Sequence, residues 1–152
     1  MTVRAVIAAV LAAAIVAAAL PAIDTGRERA TDQQVRGELD AVERAAAALL
    51  ATEETARNRA NAPQRSVTVT VPGRSWRRAG VDHLTLRAPD DDSAARAIYA
   101  VDGRAPRTRP LTAAVRPVDG PIELRESGEH RLRLRLVRED GERAVLVDRP
   151  GR

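Results

Sequence analysis

The sequence predicts an α+β protein: one long N-terminal helix followed by a small antiparallel β domain. Three observations carry this expectation. Residues 5–23 form an uncharged, Ala-rich run. Residues 35–49 repeat apolar side chains at three- and four-residue steps, the period of a helix with one buried face. Beyond Pro63 the period falls to two, with Pro-Gly and Asp-Gly pairs closing the runs, as strands and tight turns require. The chain divides accordingly into a span-like or signal-like helix (1–23), an amphipathic extension (24–62) and a β domain (63–152).

The run from Ala5 to Ile23 makes a helix of about 28 Å at 1.5 Å per residue, against a hydrocarbon core about 30 Å thick. It is long enough to hold the chain in a membrane by a single pass. The alternative is a secretion signal: Arg4 is a short basic n-region, and Ala17, Ala18 and Ala19 offer small residues for cleavage. Against cleavage, the apolar run exceeds the usual h-region of about 7–15 residues, and Leu20, Pro21, Ala22 and Ile23 replace a polar c-region. At 100° per residue Ala5, Ala8, Ala9, Ala12 and Ala13 fall on one side, and Val6, Ile7, Val10, Leu11 and Ile15 on the other. Ala5, Ala9 and Ala13 repeat at four-residue spacing, a helix-packing pattern that lets backbones approach closely in lipid. An Ala-rich chain also produces such a stripe by composition alone.

Pro21 is expected to kink the helix or end its first piece. Thr31 either caps the second piece or lies within it. Val35, Leu39, Val42, Ala46 and Leu49 form the apolar seam, flanked by Arg36, Asp40 and Arg44 at i,i+4 spacing. Glu53 and Arg57 repeat that pairing, and the helix is expected to fade near Asn58 and stop before Pro63.

In the β domain, Val67, Val69 and Val71 alternate with polar residues up to Pro72-Gly73. Val81, Leu84 and Leu86 mark a second strand, Ala97 to Val101 a third. Leu111–Val115 and Ile122–Leu124 are shorter candidates. The segment RLRLRLVREDGERAVLVD reads as a hairpin around Asp140-Gly141, a pair that favours the type I′ turn. That register sets Leu136 opposite Val145, Leu134 opposite Val147 and Arg133 opposite Asp148. Leu132, Leu134 and Leu136 then face the core, and Arg131, Arg133 and Arg135 face water. The expected sheet has about five to seven strands, with a sandwich as one arrangement and one face packed on the helical seam.

Composition narrows the function classes. With no Phe, one Trp and one Tyr, the core is aliphatic. With no Cys, disulfides, thiolate metal sites and cysteine nucleophiles are excluded. The charge of +4 comes from 25 basic residues, all Arg, against 21 acids, a modest excess that argues for no anionic partner by itself. Arg131, Arg133, Arg135 and Arg138 lack the interleaved aromatics of single-strand readers, so a charged, solvated strand face is expected and nucleic acid is not. Asp90, Asp91 and Asp92 lack the spacing of a calcium loop and read as a turn. His83 and His130 sit in no ligand or triad pattern and read as surface or strand-edge residues. Trp76 beside Arg77 and Arg78 reads as a packing anchor with a cation–π neighbour. No catalytic residues, metal site or cofactor are expected, and no enzyme activity.

The order of a basic N-terminus, an apolar helix, Pro21, an amphipathic continuation and strands resembles the type IV pilin and pseudopilin superfamily. The string IVAAALPAIDTGRERATDQQV carries the likeness, which covers about residues 4–58. The Arg-only, Ala- and Asp-rich composition is also similar to small haloarchaeal membrane-anchored proteins of this layout. The resemblance implies a non-enzymatic structural or assembly protein of the cell envelope. Its partners would be membrane lipid and, through the N-terminal helix, itself or pilin-like subunits. Two departures matter: no Gly precedes the apolar run, and no Glu stands within it. A membrane-bound pilin-like protein is therefore expected rather than a processed filament subunit. An Arg count across the span (Arg4 before; Arg27, Arg29 and Arg36 after) favours a cytoplasmic C-terminal side. The resemblance and the signal-like n-region favour an extracytoplasmic one, which is the expectation adopted. The alternative is a secreted or surface binding module whose first helix has been removed.

Overall fold

The computed structural model describes residues 3–52, 62–88, 95–112, 114–139 and 141–150. The fold is α+β. One helix, α1 (Val3–Thr52), precedes eight strands: β1 (Gln64–Val71), β2 (Val81–Arg87), β3 (Arg96–Val101), β4 (Arg107–Pro110), β5 (Val115–Pro117), β6 (Ile122–Leu124), β7 (Gly128–Glu139) and β8 (Glu142–Asp148). They form two four-stranded sheets, ordered β1-β7-β8-β5 and β4-β3-β2-β6.

The helix is unbroken for 50 residues, about 75 Å at 1.5 Å per residue. Pro21 neither ends nor divides it. The ring removes one N–H, but the position falls near the end of the apolar run, where freed backbone groups are close to polar surroundings. The hydroxyl of Thr25 donates to the Pro21 carbonyl at 2.8 Å. Thr31 caps nothing; it lies inside the helix, fully buried. The expected fading near Asn58, the Glu53–Arg57 pair and the Asp90–Asp92 turn lie outside the described residues.

The seam does what its spacing requires. Val35, Leu39, Val42, Ala46 and Leu49 are buried in one cluster with Val69, Val71, Leu132, Leu134, Leu136, Val145 and Val147 of the first sheet and Leu84, Leu86, Ala97, Tyr99, Val101 and Leu124 of the second. The helix thus belongs to the same core as both sheets. Each buried aliphatic side chain of this kind contributes about 1.5–3 kcal/mol relative to exposure. A smaller cluster on the other face of the first sheet joins Ala62, Val137, Ala144 and Leu146.

The β7–β8 hairpin has the expected register: Leu136 faces Val145, Leu134 faces Val147 and Arg133 faces Asp148. Leu132, Leu134 and Leu136 are completely buried. Two strands depart from expectation. The Leu111–Val115 candidate splits: Leu111 leaves the sheet, buried in the core with its N–H bonded to the Ala95 carbonyl at 2.8 Å, and Val115 opens β5. β5 pairs with β8 in parallel, because the chain reaches it by crossing from one sheet to the other. β4 is Arg-Thr-Arg-Pro, with no apolar residue to betray a strand; it pairs with β3 and turns its arginines to the helix.

Gly141 sits in the hairpin turn with φ of +89°, a conformation that non-glycine residues adopt only with strain. A Cβ there would meet open space, so the cost of substitution is the backbone's alone, about 1–3 kcal/mol. Arg133 is half-buried and bonded to Asp148 at 3.0 Å, but Asp148 keeps Arg135 when Arg133 is truncated. Such a pair contributes about 0–1 kcal/mol. Gly141→Val is therefore expected to lower the melting temperature of the detergent-solubilised chain more than Arg133→Ala does. Equal losses would show that the turn carries no special constraint.

Candidate functional site

The N-terminal part of α1 stands clear of the globule. Val6, Ile7, Val10, Leu11, Ile15, Val16, Leu20 and Ile23 are each about half exposed or more, whereas from Thr31 onward one face is buried. Soluble monomers seldom expose a contiguous apolar surface of more than a few hundred Å². Among the described residues this is the one helix long and apolar enough to cross a membrane. Ala5, Ala9 and Ala13 lie exposed along it, with no side chain of the chain's own globule against them. The stripe is thus available to another helix.

Below the span, charged contacts fix how the helix meets the sheets. Arg107 and Arg109 project from alternate positions of β4 towards α1. Arg107 bonds Glu28 and, at 2.6 Å, Asp32. Asp32 also accepts from the buried Tyr99 hydroxyl at 2.6 Å and pairs with Arg36 at 2.9 Å. Arg109 bonds Asp40, Glu43 at 2.8 Å and the Arg36 carbonyl at 3.0 Å. Glu43 in turn accepts from the backbone N–H and the hydroxyl of Thr112. The sequence pattern placed Asp40 in a series along the helix with Arg36 and Arg44; its hydrogen-bonded partner is Arg109, across from another element.

Titration follows this geometry. Burial pushes the Asp32 carboxyl up, but the Tyr99 hydroxyl, Arg107 and Arg36 together hold it below the usual value of 3.8. Asp40 is held down chiefly by its hydrogen bond from Arg109. Tyr99 is raised, first by burial and then by the neighbouring Asp32 carboxylate.

A third contact layer lies nearest the span. The loop between β1 and β2 runs down the helix. The Thr31 hydroxyl donates to the Ala79 carbonyl at 2.6 Å, and Arg27 Nε donates to the Trp76 carbonyl at 2.6 Å. Arg78 donates to Gln34 at 2.7 Å. A cleft of about 200 Å³ opens between this loop and the helix. Its charges are largely paired: Arg74 with Asp102 at 2.7 Å and Arg104 with Glu28 at 3.1 Å.

The remaining sequence candidates are redistributed. Trp76 is no packing anchor: the residue is 71% exposed, because the loop is held by its backbone and the aliphatic core closes without it. Its cation–π neighbour is Arg77, 4.1 Å from the ring centroid. In the Arg row, Arg131 and Arg138 are exposed, but Arg133 and Arg135 are drawn in around Asp148. His83 is half-buried on the interior strand β2. His130 is buried, not at an edge: β7 lies between β1 and β8, and its Nε2 donates to the Glu126 carbonyl at 2.6 Å. Among the described residues no group of three or more His, Asp or Glu side chains could hold a metal ion.

Residues 2–150 match a family described as a domain of unknown function, DUF7311, and the chain belongs to that family. Neither a curated protein nor a solved structure matches it.

The Asp32 cluster yields a pH prediction. A carboxyl whose folded pKa is depressed contributes stability that is present above its unfolded value and lost as pH falls through the folded one. The difference in melting temperature between the wild type and Asp32→Asn is expected to be full at neutral pH and to shrink below pH 3.8. A difference that stays constant into acid would contradict the ionic role of Asp32.

Proposed function

We propose that this member of the DUF7311 family is a non-enzymatic, single-pass, pilin-like structural or assembly protein of the cell envelope. The observation that carries the reading is the single helix with two environments. It is apolar and free over residues 5–23, and it is locked into the core of a two-sheet globule from Thr31 to Leu49. Such a helix transmits the position of a membrane span, or of a bundle of spans, rigidly to the domain it carries. The resemblance to pilins supports the same layout and favours an extracytoplasmic globule. The N-terminal partners are lipid and a second helix of like kind. Nucleic acid is not among them, since two members of the Arg row are committed to Asp148.

A second reading, a secreted binding module, is favoured by one observation: the core uses nothing from residues 3–23, so the globule would outlast cleavage near Leu20. One set of measurements separates the two. On the anchor reading the protein stays with membranes in high salt, and its intact mass includes residues 5–23. Release by salt, or a mature N-terminus near Leu20, would overturn the anchor reading.

Assembly is tested by in-membrane crosslinking at matched expression. Ala9→Ile keeps the span apolar but separates helices that meet on the Ala5, Ala9 and Ala13 stripe. Crosslinking is expected to fall in Ala9→Ile and to persist in the bulky-face control Val10→Ile. Equal crosslinking in both would leave an anchor without an assembly surface.

A further inference from the structure

The loop bearing Trp76 packs Ala79 against the core but leaves Trp76 outside it, and it is fastened to the helix at a defined height. Arg27 stands four residues beyond Ile23, about 6 Å further along the axis. A bilayer is about 40–45 Å thick with its headgroups and about 30 Å without, so each headgroup layer is about 5–8 Å deep. Arg27 Nε holds the Trp76 carbonyl at 2.6 Å. If residues 5–23 span the membrane, the loop tip is therefore moored at headgroup depth. Trp76 is also, among the described residues, the one large hydrophobic side chain outside α1 that remains exposed. We propose that this loop is a second membrane contact, in which Trp76 and the arginines around it seat the globule on an anionic phospholipid surface. The proposal rests on the anchor reading given above.

The chemistry of the loop matches that partner. Indole concentrates at membrane–water interfaces, where its ring meets acyl chain and headgroup together. Arg77 lies against the ring and is exposed, as are Arg74 and Arg78. Arg29 projects, also exposed, from the adjoining turn of the helix. The acids nearby are largely engaged: Asp102 with Arg74, Glu28 with Arg104 and Arg107, and Asp24 with Arg27 at 3.4 Å. A basic residue close to an anionic surface strengthens binding roughly fivefold. The contact would restrain the tilt of the rigid helix and globule against the membrane plane.

Trp76 is the only tryptophan in the chain, so its fluorescence reports the contact directly. The full-length protein is reconstituted into vesicles of mixed phosphatidylglycerol and phosphatidylcholine, and into phosphatidylcholine alone. Flotation establishes insertion in each case. In the anionic vesicles the emission is expected to shift to shorter wavelength and to resist acrylamide. Lipid brominated near the headgroup end of its chains should quench it more than lipid brominated near the methyl end. The double variant Arg74→Gln, Arg77→Gln should float equally but regain acrylamide quenching. A protein that floats while Trp76 remains fully hydrated and acrylamide-accessible would overturn the second contact and leave the anchor standing. A protein that does not float would overturn both.

Discussion

Burial of the Val35–Leu49 seam between the two sheets is the interaction on which the rest depends. The β domain has almost no aromatic volume, since Tyr99 is the one large ring in the core. Three of the eight strands have four residues or fewer. A core of Val, Leu and Ala on this scale is marginal. The helix supplies a full stripe of aliphatic side chains that both sheets share, so it acts as a structural wall and not as an appendage.

Everything N-terminal to the seam inherits its direction from that packing. Arg107 and Arg109 of β4 grip Glu28, Asp32, Asp40 and Glu43, which fixes the rotation of the helix against the second sheet. The loop carrying Ala79 and Trp76 fixes its lower turns. Because the helix does not break at Pro21, the same rotation extends to the Ala5, Ala9 and Ala13 stripe. The faces of the globule and the faces of the apolar N-terminal segment are therefore related by one rigid element.

What was legible in the sequence was whatever rests on local period. The seam, the strand of Val67–Val71 and the Asp140-Gly141 hairpin each announce which face is buried, and the structure has the hairpin register residue for residue. What was illegible rests on distant partners. β4 has no apolar alternation because its side chains answer acids on the helix, and Tyr99 meets Asp32 across 67 residues. β5 pairs in parallel with a strand that follows two others, which no turn signal encodes. In the candidate site, the placement of Ala5, Ala9 and Ala13 along one helix could be read from spacing alone. The height of Trp76 could not, since it is set by a backbone contact 49 residues away in sequence. His130 reads as a surface or strand-edge residue from sequence, because the pairing that buries its strand between β1 and β8 rests on distant partners.

The claim that the helix is part of the core is tested most directly by comparing two soluble fragments, residues 24–152 and residues 63–152, in thermal melts followed by near-ultraviolet circular dichroism. If the seam completes the core, the longer fragment melts cooperatively and the shorter one shows no fixed tertiary signal. A cooperative transition at the same temperature in the fragment beginning at Pro63 would contradict the account, because the β domain would then stand without the helix.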